Sequence, residues 1–263
     1  MLAEVVHFAL AGLGIVAAMM LVLWLIHLII RNAGIVDVGW AAGLATLAIF
    51  YAMEGPGYPI RKWLIAAMAG FWGLRLAVYL FISRVVGKPE DGRYVQLRRE
   101  WKTQLPLRFL FFFEFQAVLD VILSLPFLLA SLNMRPSLAK VEEIGAAIWL
   151  VGICGEAAAD YQLNRFRKNP ENKGKTYRSG LWSYSRHPNY FFEWMIWVGY
   201  AVFALGSPWG WLSLVSPTMM LYFLLSATGI AATEAQALRS RGMGYRAYQR
   251  STSTFVPWFR KHA

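Results

Sequence analysis

The sequence predicts an all-α integral membrane protein, a seven-transmembrane helix bundle with the N-terminus outside and the C-terminus cytosolic. Three observations carry that expectation. Apolar residues make up 57% of the 263 and charged residues only 16%, with a mean hydropathy of +0.42, richer in apolar side chains than a water-soluble domain. Apolar stretches recur near 5–30, 36–53, 62–83, 106–131, 143–163, 188–205 and 212–238, and crossing a hydrocarbon core about 30 Å thick takes roughly 20 helical residues. Basic residues also alternate by loop. Of the 26 Lys and Arg, 21 fall at Arg31 and within 84–108, 165–186 and 239–261, while four, Arg61, Lys62, Arg135 and Lys140, fall on the other side. The rich side is cytosolic by the positive-inside rule, and an odd number of spans then separates the termini.

The first span, 5–30, lacks a basic leader and a small-residue cleavage pattern before Arg31, so it reads as a mature helix and not a secretory signal. Its Gly12, Gly14 and Ala17 have the spacing of a dinucleotide fingerprint, but no strand precedes them. They read as small-residue helix packing, as do Gly39 and Gly43 in the second span. His27 reads as a satisfied core histidine, and Glu54, at the outer end of the second span, as solvated. In the third span Trp72, Arg75 and Tyr79 follow at spacings of three and four. Glu114 and Asp120 in the fourth are six apart, share no face, and read as rim or packing groups. The fifth carries Glu156, Asp160, Asn164 and Arg167 at spacings of four, four and three, one polar stripe descending to the cytosolic rim. Pro188 suits the first turn of the sixth, where Asn189 and Glu193 lie one turn apart and Trp197 and Tyr200 continue the face. Glu234 falls near the end of the seventh.

Two hydrophilic segments stand apart, Arg84 to Leu105 and Arg165 to His187, with turn chemistry at Gly87–Pro89, Asp91–Gly92, Asn169–Pro170 and Lys173–Gly174. No internal repeat is visible, so the simplest organisation is one domain over 1–263.

An isolated charge at bilayer depth costs at least ~2.5 kcal/mol. Asp37, Arg75, Glu156, Asp160, Glu193 and Glu234 sit in or at the ends of apolar stretches, which points to a shared polar site. The plainer reading is interhelical pairing, each contact contributing about 0.6–2 kcal/mol. Several classes drop out. The net charge of +11 follows the loops and not one face, so nucleic acid is not the partner. Cys154 is the only cysteine, which excludes an intramolecular disulfide and a thiolate metal site. There is no HExxH, no nucleophile elbow and no metal-ligand cluster, so no hydrolase and no metal are expected.

The run from Thr176 to Tyr190 is the densest polar and aromatic stretch of the chain. Arg178 and Arg186, with Lys168, Lys173 and Lys175 nearby, form a cationic mouth beside a helix start, where free backbone N–H groups favour an anion. A phosphate-bearing ligand fits; so do anionic lipid headgroups.

That run, Tyr177-Arg178-Ser-Gly-Leu-Trp followed by Arg186-His187-Pro188-Asn189-Tyr190 and Glu193, with Asp160 upstream and Thr254-Phe-Val-Pro257 downstream, resembles the steroid 5α-reductase family in its bacterial branch. It is also similar to the isoprenylcysteine and phospholipid methyltransferases, which share the Arg-His-Pro-x-Tyr element. The resemblance is specific over about 156–258 and rests on a few polar positions before residue 110. It implies a seven-helix reductase that holds NADPH on the cytosolic side and reduces the Δ4 double bond of a 3-oxo-steroid or related enone, in the inner membrane if the protein is bacterial. Carried over by position, Asp160, Arg167, Tyr177, Arg178, Asn189 and Glu193 contact cofactor, joined by Arg75 and Tyr79. Adding the polar stripe, the loop and the C-terminal tyrosines brings in Glu156, Asn164, Tyr184, Arg186, His187, Tyr245 and Tyr248. Asp37 matches the family's catalytic acid, and Trp72 stands where the animal enzymes have a catalytic tyrosine. An indole N–H donates a hydrogen bond but delivers no proton.

Enone reduction needs hydride at the β-carbon and a donor at the carbonyl oxygen. A carboxyl buried in apolar surroundings stays neutral and can be that donor, the role expected of Asp37 with help from Trp72. The alternative is a membrane methyltransferase using S-adenosylmethionine, in which Glu234 resembles an acidic motif. A transporter or lipid-binding bundle also needs intramembrane charges.

Overall fold

The structure is a computed structural model and describes residues 2–227 and 229–259. Thr228 of the seventh expected span, and Arg260 and Lys261 of the basic C-terminal run, lie outside the described residues. Within them the chain is helical, with one isolated bridge between Ser185 and Ser253. It divides into two compact units, Met1–Lys140 with Ala204–Ser213, and Val141–Phe203 with Leu214–Ala263.

The first unit holds α1 (Leu2–Ile30), α2 (Ile35–Glu54), α3 (Pro59–Leu80), the short α4 (Gly92–Trp101), α5 (Leu105–Leu123) and α6 (Leu125–Ser131). Helix α2 is the centre, packed along α3 and meeting α1 and α5. Small residues let these backbones approach. A Cβ on Gly73 of α3 would lie 2.6 Å from the Ala41 carbonyl of α2, and one on Gly43 would overlap the Asp120 carboxyl of α5. Three glycines of the first two spans are therefore packing residues, Gly43 as above, Gly12 facing Tyr51 and Leu47 and Gly39 facing Met20 and Leu23, whereas Gly14 is exposed, with nothing within 4 Å of where a Cβ would stand, and departs from the packing role expected of it. His27 is buried between Phe109 and Phe113, its ring nitrogens 3.2 Å from the Trp24 carbonyl and 3.2 Å from Arg98. Of the rim and packing roles expected of Asp120, its place fits packing: it is fully buried against Gly43, and neither carboxyl oxygen has a hydrogen-bond partner.

At the end of this unit where α3 begins, Arg61 is fully buried and donates to the carbonyls of Asn133 and Arg135, both at 2.8 Å, and of Ser137. One guanidinium thus satisfies main-chain oxygens of a loop that no secondary structure would serve.

Among the described residues three helices are long and apolar enough to cross a membrane, Leu2–Ile30, Ile35–Glu54 and Pro59–Val85, and a fourth if α5 and α6 count as one span bent by 45°. Pro126, at the start of α6, has no N–H to continue the α5 ladder, which accounts for the break at Ser124.

The second unit holds α7 (Lys140–Lys168, from Val141), α8 (Pro188–Ala204, to Phe203), α9 (Val215–Tyr222) and α10 (Ile230–Ser251). Pro188 is the first residue of α8, as its chemistry predicts. Helices α7 and α8 meet through a glycine seam, Gly152 against Ile196 and Gly199 against the Trp149 backbone. The expected seventh span is not one helix. Its apolar part is a 3₁₀ turn (Gly210–Leu214), α9 and a π turn (Phe223–Ala227), and the polar α10 starts after Gly229, where any Cβ would overlap the Leu224 carbonyl. Within α10 the chain kinks at Gly242, whose φ of 56° and ψ of −130° suit only glycine.

Candidate functional site

In the second unit the Thr176–Tyr190 run closes on the C-terminal segment. Trp182 donates to the Ala159 carbonyl at 2.9 Å, and Ser185 pairs with Ser253. Arg186 is buried, with Nε 2.7 Å from Glu234 Oε1, Nη1 donating to the carbonyls of Gln249 (2.9 Å) and Thr252 (2.7 Å), and Nη2 donating to Thr254 Oγ1 at 2.8 Å. Glu234 is the hub. Besides Arg186 it faces His187 Nε2 at 3.3 Å and accepts from Gln249 at 2.8 Å and Tyr245 at 3.4 Å. Burial pushes the Glu234 carboxyl up, but the hydrogen bonds from His187, Arg186 and Gln249 win and hold it at about 2. The Tyr245 phenol is pushed up to about 12, by burial first and then by the charge of Glu234. His187 stacks on Tyr190 with centroids 5.4 Å apart.

Beside this hub Asn189 donates to Asp160 at 3.1 Å, joining α8 to the polar stripe of α7. The stripe runs as its spacing predicts, from buried Glu156 through half-buried Asp160 to exposed Asn164 and Arg167. Glu193 accepts from the Trp197 indole at 3.0 Å. Arg178 lies over the Tyr248 ring, 5.5 Å from its centroid, and donates to the Gly244 carbonyl. Tyr248 faces the carbonyls of Trp182 and Ser185 with its hydroxyl, so this phenol holds main chain. Tyr184 is exposed, its ring 6.4 Å from that of Phe259.

Where α7 ends, a cavity of about 260 Å³ is lined by Phe166, Arg167, Lys173, Lys175, Tyr177 and Arg241, among others. The Phe166 and Tyr177 rings lie 4.9 Å apart. Arg241 is held below the usual arginine range by burial and then by the charge of Arg167.

In the first unit Asp37 sits in the first turn of α2 and gathers three donors. Arg84 Nη1 lies 2.5 Å and Arg93 Nη2 2.8 Å from Oδ2, and the Tyr94 hydroxyl donates to Oδ1 at 2.6 Å. This is not the apolar setting expected for Asp37: its neighbours are two guanidinium groups and a phenol. Arg84 comes from the π turn Phe81–Val85 after α3, and Arg93 and Tyr94 from α4, which is capped by the Asp91 carboxylate on the Arg93 N–H. Burial pushes the Tyr94 phenol well above its ordinary value, and the Asp37 charge adds to that, so it stays protonated. Trp72 is fully buried, edge-on to Trp40 at 5.8 Å. Arg75 is half-buried one turn further along α3, and Tyr79 is exposed.

Nothing in the sequence singles out Arg84, Arg93 or Tyr94, which read as loop residues, or Arg241, one basic residue among many. Among the described residues no group of three or more His, Cys, Asp or Glu could hold a metal ion.

The profile of a family described as "Protein of unknown function (DUF1295)" matches residues 23–252. The chain belongs to that family. Two curated proteins are similar to parts of this DUF1295 member. It is 38% identical over 78 residues to "Probable O-methyltransferase ustE" of Ustilaginoidea virens, covering 27% of this chain and 28% of that one. It is 40% identical over 67 residues to "3-oxo-5-alpha-steroid 4-dehydrogenase 1" of Bos taurus, covering 26% of each. The match thus spans about a quarter of either relative. No solved structure matches the chain. The DUF1295 sequence is compatible with reductase and methyltransferase chemistry alike.

Proposed function

We propose that the chain is a membrane-embedded, NADPH-dependent reductase of the Δ4 double bond of 3-oxo-steroids or related enones, with seven membrane crossings, the N-terminus outside and the cofactor site facing the cytosol. One observation carries the choice of cofactor. The second unit lines a cavity with Arg167, Lys173, Lys175 and Arg241 and no carboxylate; NADPH brings phosphate groups to such a surface, and S-adenosylmethionine brings none. The local similarity to the bovine steroid dehydrogenase supports the same reading.

When bound, NADPH supplies the hydride. In the second unit Arg167, Lys173, Lys175, Tyr177 and Arg178 would meet its phosphates, the Asp160–Asn189 pair and Glu193 its polar edges, and Glu156 and Asn164 would continue the stripe, while Arg186, His187 and Tyr245 hold the loop on Glu234. Arg75 and Tyr79 are carried as further cofactor contacts on the resemblance alone. In the first unit Tyr94 is a protonated phenol whose one O–H donates to Asp37, so Asp37 would position the ring and Tyr94 would donate towards a carbonyl oxygen, where charge develops, by turning that O–H from Asp37 to the substrate. Trp72 can add a hydrogen bond but no proton.

The second reading, an S-adenosylmethionine-dependent methyltransferase, is favoured by the similarity to the fungal O-methyltransferase. Purified protein decides between them, because a ligand that binds only the folded state raises thermal stability by mass action. NADPH should stabilise and S-adenosylmethionine should not; the reverse result overturns the reductase. Given NADPH binding, Asp37→Asn should abolish turnover of a Δ4-3-ketosteroid without loss of that binding.

A further inference from the structure

The cavity at the end of α7 has more cations than packing requires. Arg167, from the end of α7, and Arg241, beside the kink in α10, both line it. They are near enough for one charge to act on the other, yet neither has a carboxylate partner among the described residues. Lys173 and Lys175 flank Gly174, whose φ of 77° turns the loop around the cavity mouth. Two neighbouring guanidiniums without an acid destabilise each other, and an anion seated in the cavity they line removes the cost.

Size limits what that anion is. At about 260 Å³ the cavity falls below the roughly 300–1,000 Å³ that takes a whole drug-sized ligand, so it receives one end of a longer molecule. Its wall is the Phe166–Tyr177 ring pair, a surface on which a purine stacks. A phosphate monoester next to a nucleobase matches both features.

We infer that this cavity is the seat of the ribose 2′-phosphate, and that Arg241, beside the Gly242 kink and lining the same cavity as Arg167, is the residue by which the protein distinguishes NADPH from NADH. The inference rests on the reductase reading above. Arg167 approaches from a regular helix; Arg241 depends on a backbone turn that only glycine makes without strain.

The test uses the full-length protein in detergent and measures binding of NADPH, NADH and adenosine 2′,5′-bisphosphate to wild type, Arg241→Gln and Arg241→Glu. For Arg241→Gln, NADPH and the bisphosphate should bind on the order of tenfold to a hundredfold more weakly, the loss of one charged hydrogen-bond partner, with NADH unchanged. Arg241→Glu should lose NADPH more completely while the ligand-free protein melts at a higher temperature, because a repulsive pair becomes an attractive one. That gain separates loss of recognition from loss of folding. If NADPH and NADH weaken equally, or if neither changes, the 2′-phosphate assignment is overturned while the reductase reading stands. If wild type binds neither nucleotide, both fall together.

Discussion

The Asp120 carboxylate of α5 rests on the bare backbone of Gly43 in α2, in space that a Cβ would occupy. Gly43 thus supplies the room that the fully buried acid occupies, which ties a glycine to an acid 77 residues away. Gly43→Ala should destabilise the protein by about 1–3 kcal/mol, the usual cost of overpacking. In an Asp120→Ala background the same change should cost much less, because the clashing group is gone. Thermal unfolding of the four proteins in this cycle checks it; equal costs in both backgrounds would show that the two residues do not interact.

Acid stability should report on Glu234. Its folded value of about 2 lies below the ordinary 4.5, so its contribution is complete above pH 4.5 and is lost as pH falls towards 2. Wild type should therefore lose stability relative to Glu234→Gln across that window and not above it. A constant difference from neutral pH down to pH 2 would mean the carboxylate is not held by Arg186 and His187.

Tyr94→Phe removes the donor that Asp37 positions and leaves the ring. Turnover of a Δ4-3-ketosteroid should fall roughly 100-fold, the lower end of what a general acid contributes, while NADPH binding holds. Unchanged turnover would reduce Tyr94 to a packing residue.

Arg61→Met keeps most of the volume of the buried side chain but removes the donors of three main-chain carbonyls, of which that of Asn133 is buried. A loss of about 3 kcal/mol is expected, measured by denaturation in detergent, with Arg61→Lys intermediate because an ammonium cannot fork across carbonyls in the same way.

Much of this was legible before any coordinates. Helical spacing put Glu156, Asp160, Asn164 and Arg167 on one face, and α7 is continuous through all four. Proline chemistry located the start of α8, and the small-residue pattern anticipated how Gly39 and Gly43 pack. What hydropathy concealed was continuity: 106–131 and 212–238 are apolar enough to read as single spans, while Pro126 and Gly229 interrupt them. The surroundings of Asp37 were hidden for another reason. Its partners lie 47, 56 and 57 residues on, in a segment whose composition says only that it is basic and turn-rich. Arg241 was equally unreadable, because its placement depends on one glycine torsion that no pattern of side chains announces.

Arg186 reaches across to Gln249, Thr252 and Thr254 and has Glu234 at its elbow. These partners are translated 48 to 68 residues after it, so the loop must wait, inserted and half-built, for the ribosome to deliver what clasps it. Chains stalled just short of Thr252 should therefore accumulate with this loop unclasped, open to proteolysis where the finished fold protects it.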